Sequence, residues 1–265
     1  MSERPHETRA LFERAILAFI LPGVAGAINA SGFFAVGAYT SHVTGAVARV
    51  GDELASGHLW LAARFGLFLL CFFLGAMIST FLVLYGKRSG GAPYWRPLLL
   101  ECALMLIFAT VNVGSESGAH LNSAQMTSLL CFAMGLQNAL VTKLSGARIR
   151  TTHLTGLVTD AGIEAARTVD HWRQRGGAFP SLWNDPDLKK MRLHVAVFGS
   201  FFVGATLGPL AYLYVGHIAM LFPCAILLGL AAFDAWIGLS GQSFGVTPSE
   251  PQLHPVKNPT KISTT

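Results

Sequence analysis

Long apolar stretches alternate with short polar segments along most of this chain of 265 residues. A membrane-spanning helix needs about 20 consecutive, mostly apolar residues. Six stretches reach or approach that length: 15–36, 60–85, 97–114, 122–143, 193–215 and 217–239. The third is short and contains Glu101, and the fourth is rich in polar residues. The pattern predicts an all-α, polytopic membrane protein with one transmembrane domain over 15–240.

The composition agrees with this class. Only 12% of the residues are charged and the mean hydropathy is +0.50, whereas a soluble domain has about 25% charged residues. Residues 1–14 are charged and lack the apolar core of a removable signal peptide, so we interpret them as a cytoplasmic lead. Residues 241–265 are polar and contain proline, which predicts a disordered cytoplasmic tail.

The basic residues predict how the spans are oriented. Cytoplasmic loops of membrane proteins collect Lys and Arg. With the N-terminus inside, all 19 Lys and Arg residues lie on the cytoplasmic side except Arg49 and Arg64. Six spans with both termini in the cytoplasm therefore fit best. The basic residues act as topology signals, and no nucleic acid partner is expected.

One polar segment occurs twice. Residues 40–55 read TSHVTGAVARVGDELA and residues 151–166 read TTHLTGLVTDAGIEAA. Seven residues of the first segment recur in the second at a constant offset of 111. The pairs are His42 and His153, Thr44 and Thr155, Gly45 and Gly156, Val47 and Val158, Gly51 and Gly162, Glu53 and Glu164, and Ala55 and Ala166. Upstream, GAINA resembles GLQNA, and downstream, FFLGA resembles FFVGA at an offset of 129.

The duplication divides the domain into repeat 1, about 15–114, and repeat 2, about 122–240. Each repeat has one span, a TxHxTG turn, a short extra helix (about 45–55 and 156–167) and two more spans. Three spans is an odd number, so the second repeat enters the membrane from the opposite side. Inverted repeats are typical of secondary transporters. The sequence thus favours a transporter or permease that works by alternating access, with no catalytic activity.

The repeated motif supplies candidate substrate-binding residues. Thr44–Gly45 and Thr155–Gly156 are typical of helix starts, where a threonine hydroxyl accepts a backbone amide and glycine allows close approach. If the short helices enter the membrane, their N-termini favour an anionic group. The paired His42 and His153 would then donate hydrogen bonds or act as proton-linked switches. Alternatively, the helices lie flat at the two interfaces and the histidines bond the backbone.

Polar side chains within the spans add further candidates. Asn29 and Asn138 suit either substrate binding or bonding between helices. The recurring Glu53 and Glu164 suit proton coupling or ion pairing, with Arg49 and Arg167 as the expected partners. Asp160 and Asp234 are further candidates for coupling or ion pairing. Glu101 is expected to pair with Arg96.

No cofactor or metal is expected. The four cysteines all lie in predicted spans without metal-ligand spacing, which indicates small apolar packing residues: Cys71, Cys102, Cys131 and Cys224. Neither a nucleophile elbow, HExxH nor a phosphate loop is present, so a membrane-embedded enzyme is disfavoured.

The alternative to a transporter is a sensor or docking protein that uses the cytoplasmic loop 168–192, which contains Trp172 and Trp183. The expected partners are the lipid bilayer and a small solute. The sequence is also compatible with a homo-oligomer.

The segments GAINASGFFAVGAYTSHVTG and FAMGLQNALVTKLSGARIRTTHLTGLVTD, with the FFxGA segments, resemble the YoaK family over about residues 14–240. These are bacterial inner-membrane proteins with a domain of unknown function. The resemblance implies a multi-pass protein of the bacterial plasma membrane and brings no substrate. Many members of that family have an acidic residue where Asn29 stands and Asn where Ala46 stands, so a family mechanism based on that carboxylate would differ here.

Overall fold

The computed structural model of the chain describes residues 5–89, 92–111, 122–144, 154–174 and 186–239. These residues form eight α-helices and one 3-10 turn, Gly216–Met220, and contain no strand. The helices are α1 Pro5–Val36, α2 Val43–Ala55, α3 Leu59–Arg88, α4 Trp95–Val111, α5 Ser123–Leu144, α6 Leu154–Gln174, α7 Pro186–Val215 and α8 Leu221–Leu239. The predicted all-α class is confirmed for this part of the chain. The predicted tail 241–265 lies outside it.

Each predicted apolar stretch is a helix, and a short helix follows each TxHxTG segment. Several helix ends differ from the prediction. α7 begins at Pro186, within the expected loop 168–192. α1 begins at Pro5, within the expected lead. α6 continues to Gln174, so the first part of the expected loop 168–192 is helical and Trp172 lies on α6. Residues 168–175 contain neither glycine nor proline, which explains why apolar periodicity alone placed the end of α6 too early.

Three stretches of the described chain are long and apolar enough to cross a membrane: Phe19–Val36, Leu59–Arg88 and Lys190–Trp236. The last contains α7, the 3-10 turn and α8. α4 has only 17 residues, and α5 carries polar residues such as Gln137 along its length. Large apolar side chains on the long helices point outward; Phe73 and Phe202 are each 61% exposed. Such a surface is typical of a helical membrane protein.

The long helices of the two repeats pack crosswise. α1 packs along α7, α3 packs along α5, and α4 packs against α8, while α1 also contacts α5. A core of large apolar side chains lies between them, including Ile28, Met105, Phe108, Leu130 and Leu227. The short α2 packs on α3, and α6 packs on α7. The first helix of each repeat thus packs against the second long helix of the other.

Close approach at the α3–α5 crossing depends on two glycines. A Cβ on Gly135 would clash with the carbonyl oxygen of Phe72, and a Cβ on Gly75 would clash with that of Phe132. Both clashes involve backbone, which cannot rotate away as a side chain can. The α3 and α5 backbones therefore touch directly, as in small-xxx-small helix contacts of membrane proteins.

The α1–α7 crossing has the same construction. A Cβ on Gly26 would clash with the carbonyl oxygen of Phe201, and a Cβ on Gly204 would clash with that of Gly23. Gly26 corresponds to Gly135 in the GAINA/GLQNA pair, and Phe201 corresponds to Phe72 in the FFxGA pair. Equivalent residues of the two repeats thus make equivalent contacts.

Candidate functional site

The first copy of the motif forms the connection from α1 to α2. Gly37 follows α1 with a φ of +73°, a left-handed conformation that favours glycine. The backbone amide of Ser41 donates to Asn29 Oδ1 at 3.1 Å. Asn29 is 7% exposed, so this bond supplies a donor to its buried side-chain oxygen. Asn29 therefore anchors the TSHVTG segment to α1.

His42 is the N-cap of α2, and its side chain makes no capping hydrogen bond. A Cβ on Gly45 would lie 2.5 Å from Nδ1 of His42 and 2.7 Å from its Cε1. The glycine of TxHxTG therefore leaves room for the histidine ring against the first turn. The expected capping role of Thr44 is wrong, because α2 begins at Val43 and places Thr44 inside the helix with an exposed side chain.

A cavity of about 330 Å³ opens beside this turn. His42, Gly45 and Arg49 of the motif line one side, and α3 supplies an aromatic wall of Phe65, Phe68 and Phe72. Two residues of α5, Thr127 and Cys131, and the loop residue Thr40 also line it. Within the described part of the chain, the buried hydroxyl oxygen of Thr40 has no hydrogen-bond partner. The cavity thus combines a helix N-terminus and a cation with an apolar wall.

The repeated glutamate of this copy is buried and paired. Glu53 is 7% exposed; its Oε1 lies 3.3 Å from Nη2 of Arg49, and its Oε2 lies 2.9 Å from Nδ1 of His58. The Arg49 guanidinium also lies over the Phe65 ring, 5.4 Å from its centroid. Glu53 therefore orients Arg49 beside the cavity.

The second copy keeps the glutamate and changes its partner. Glu164 is 6% exposed, and its Oε2 lies 3.1 Å from Nδ1 of His194 on α7. The expected pairing with Arg167 is wrong, because α6 directs the carboxylate towards α7. With the offsets of the two repeats, Asp160 occupies the position of Arg49, and His194 occupies that of Phe65.

The candidate residues do not all come together. α2 packs on α3 and α6 packs on α7, and no extensive contact joins α2 to α6 within the described residues. His153 lies outside those residues. Thr155 is exposed and Gly156 is half-buried in the first turn of α6, while Asn138 is half-buried on α5. The structure therefore groups Asn29, His42, Thr44 and Gly45 around the α1–α2 connection, and Asn138, Thr155 and Gly156 do not line the cavity beside it.

The two remaining candidate acids, Asp234 and Asp160, behave differently. Asp234 on α8 is 1% exposed, and its Oδ2 accepts the backbone amides of Tyr94 and Trp95 at 2.8 Å each. It therefore caps the start of α4. Asp160, by contrast, is exposed on α6.

Glu101 is fully buried on α4, and neither carboxylate oxygen has a hydrogen-bond partner among the described residues. The expected pairing with Arg96 is wrong. The Arg96 guanidinium instead lies over the rings of Tyr85 and Trp95, 4.9 and 4.8 Å from their centroids. Aromatic faces attract such a cation.

Sequence reasoning also missed two contacts between helices. A disulfide joins Cys102 on α4 to Cys224 on α8, whereas all four cysteines were expected to act as packing residues. The amide of Gln137 donates to the carbonyl oxygen of Leu21, linking α5 to α1 at 3.3 Å. Both contacts depend on helix packing, which spacing along the chain does not reveal.

Comparison with known protein families places these features in a family. The family described as a protein of unknown function (DUF1275) matches residues 17–233. The chain belongs to this family, and the matched range includes both motif copies and both glycine crossings. Neither a curated protein nor a solved structure shows significant similarity to the chain.

Proposed function

We propose that this DUF1275 member, of the YoaK type, is a secondary transporter of a small anionic solute. Its six spans would form two inverted three-span repeats in the bacterial inner membrane, with both termini cytoplasmic. The observation that carries the proposal is the pair of equivalent glycine crossings, α1–α7 and α3–α5. Two halves that pack through equivalent contacts can each adopt the conformation of the other, which gives an outward-open and an inward-open state.

The proposal requires α4 and α5 to cross the membrane as well. The 17 residues of α4 extend over ~26 Å, close to the hydrocarbon thickness of about 30 Å. Gln137 on α5 is fully buried against protein, so α5 would not present this amide to lipid. Polar residues in a span are tolerated under that condition.

The short helices would lie at opposite membrane interfaces. Each packs on one long helix and stays largely exposed: in α2 only Glu53 is buried. The proposal therefore does not depend on His42 and His153 meeting at the bilayer centre. It depends on movement between the crossed helix pairs, with each motif helix opening or closing its own side.

Site-directed labelling tests this directly. Single cysteines replace His42 or His153 in protein whose free Cys71 and Cys131 are changed to Ala, reconstituted in liposomes. With and without each of a panel of small carboxylic acids, a membrane-impermeant maleimide should report reciprocal changes: one position gains reactivity as the other loses it. Gly51→Cys and Gly162→Cys are matched controls, because both positions are helical, equivalent and open. Unchanging reactivity at both histidine positions would contradict alternating access.

A second candidate function is docking of a partner protein. It is favoured by α6, where Val158, Ile163, Val169 and Trp172 are between 37% and 57% exposed. An exposed apolar helix face suits either a partner or the membrane surface. Under this function, Val169→Ser with Trp172→Ser would abolish capture of the partner and leave solute flux unchanged. If the chain is a transporter alone, it captures no partner and its activity is solute flux.

A further inference from the structure

The first turn of α2 offers donors to an anion. The amide of Ala46 donates to the carbonyl oxygen of His42 at 3.0 Å. The preceding amides, at Thr44 and Gly45, lie in the first turn, where backbone N–H groups lack intrahelical acceptors. The end of the helix macrodipole adds partial positive charge there.

Arg49 adds a full charge on the same side of the cavity. Glu53 engages its Nη2, but a guanidinium has five N–H donors in a fixed fork, so donors remain for a second carboxylate. The Arg49 side chain is 58% exposed and therefore reachable. Since Glu53 also binds His58, its own negative charge is shared between two partners.

Thr40 is an independent sign of a ligand. Thr40 is 4% exposed and is one of the residues that line the cavity, and its fully buried hydroxyl oxygen has no hydrogen-bond partner among the described residues. A buried hydroxyl without a partner costs free energy. Because this oxygen has no surface on the cavity, the side chain would turn about χ1 to meet a polar ligand atom, and the new hydrogen bond would remove that cost.

The opposite wall limits the ligand's body. Phe65, Phe68 and Phe72 of α3 present an apolar, aromatic surface. The volume of about 330 Å³ lies at the lower end of the range of about 300–1,000 Å³ for ligand pockets. A small molecule with one charged end and one apolar end therefore matches the lining, whereas a peptide or nucleotide is too large.

The second repeat does not reproduce this chemistry. Its position equivalent to Arg49 is Asp160, and its position equivalent to Phe65 is His194, which is paired with Glu164. An anion would be repelled by Asp160 and would meet, in place of a phenylalanine, an imidazole that is already paired with Glu164. The two halves are thus alike in packing and unlike in charge.

We propose that the cavity between α2 and α3 binds a small monocarboxylate with an aromatic or other apolar body, and that Asp160 and His194 disfavour such a ligand at the equivalent place in repeat 2. The carboxylate would contact Arg49 and the first-turn amides of α2, with Thr40 as a further hydrogen-bond partner and the body against the phenylalanines. This inference rests on the proposed transport function, since it names the substrate class of the same protein.

Calorimetric titration of the purified full chain tests the inference, with 3-phenylpropionate as the probe. 3-Phenylpropanol removes the charge and propionate removes the ring, so both should bind at least tenfold more weakly. Arg49→Gln should weaken 3-phenylpropionate about 10- to 100-fold, because it removes a hydrogen bond to a charged group. Thr40→Val should weaken it about two- to tenfold.

Arg64→Gln is the matched control. Arg64 lies on α3 with its guanidinium over Phe68, 5.8 Å from the ring centroid, but it does not line the cavity. This variant should bind 3-phenylpropionate as the unchanged chain does. Glu53 keeps His58 in Arg49→Gln, and an unchanged melting temperature without ligand would show that the variant is folded.

The outcomes separate this inference from transport itself. If binding of 3-phenylpropionate requires Arg49 but liposomes show no flux, the site is supported and the transport function is refuted. Reciprocal labelling at positions 42 and 153, with binding equal in Arg49→Gln and Arg64→Gln, keeps transport and overturns this site. No binding of 3-phenylpropionate at millimolar concentration overturns the proposed ligand class.

Discussion

Gly75→Ala should destabilise the protein through the α3–α5 crossing. The new methyl group would lie against the carbonyl oxygen of Phe132, a backbone atom on the facing helix. Because neither helix backbone can rotate away from this contact, α3 and α5 must move apart along their packed length. Gly66→Ala lies on the same helix and meets nothing within 4 Å, so it is a matched control.

The size of the effect follows from comparing the two variants. Replacing glycine by alanine inside a helix favours the helix by up to about 1 kcal/mol, and both variants share this gain. Their difference is therefore the cost of the clash, which is about 1–3 kcal/mol for overpacking in a well-packed core. A change of 1 kcal/mol shifts the melting temperature by about 2–4 °C in a chain of this size. Gly75→Ala should melt roughly 2–12 °C below Gly66→Ala.

Thermal unfolding in detergent, followed by intrinsic fluorescence, measures the difference. The same comparison in the other half uses Gly204→Ala, which would clash with the carbonyl oxygen of Gly23, and Gly199→Ala, which is open. Equal melting temperatures within each pair would refute the direct backbone contact. An effect in one pair alone would refute the equivalence of the two crossings.

Three further predictions concern contacts between elements. Asp234→Ala should lower the free energy of unfolding by about 1–3 kcal/mol, because two backbone amides lose their acceptor, whereas Asp234→Asn keeps an acceptor and should cost less; equal melting curves for both variants would contradict the cap. Alkylation under denaturing conditions should modify two cysteines without reductant and all four after reduction, since Cys102 and Cys224 form a disulfide; intact-mass spectrometry distinguishes this from four modifications throughout. Asn29→Ala should speed amide exchange over residues 37–42, because the Ser41 amide loses its acceptor, while Asn29→Asp should preserve protection; equal exchange in the two variants would contradict the anchoring role.

The apolar pattern predicted the helices well because burial and exposure to lipid act on every residue of a span. It placed helices at all six stretches and after both motif copies. Partners across helices could not be predicted in this way. The pairing of Glu164 with His194 depends on how α6 lies on α7. The helical i,i+3 spacing along the chain predicts Arg167 as the partner instead. Likewise, the Thr–Gly pair predicts a cap at Thr44 because it is common at helix starts. The helix instead begins at Val43, one residue before Thr44.

The corrected contacts also change what the repeated motif indicates. A motif kept in both copies would be expected to perform the same chemistry twice. The glutamate is buried in both copies and paired with a histidine of the following segment, His58 or His194. This shared contact joins α2 and α6 to the residues that follow them, so the repeated glutamate is explained by packing. The residues that differ, Arg49 and Asp160, are the ones that give the two sites opposite charge. In this protein the repeated glutamate therefore belongs to the scaffold, and the proposed difference in ligand binding between the two repeats rests on the positions where the copies diverge.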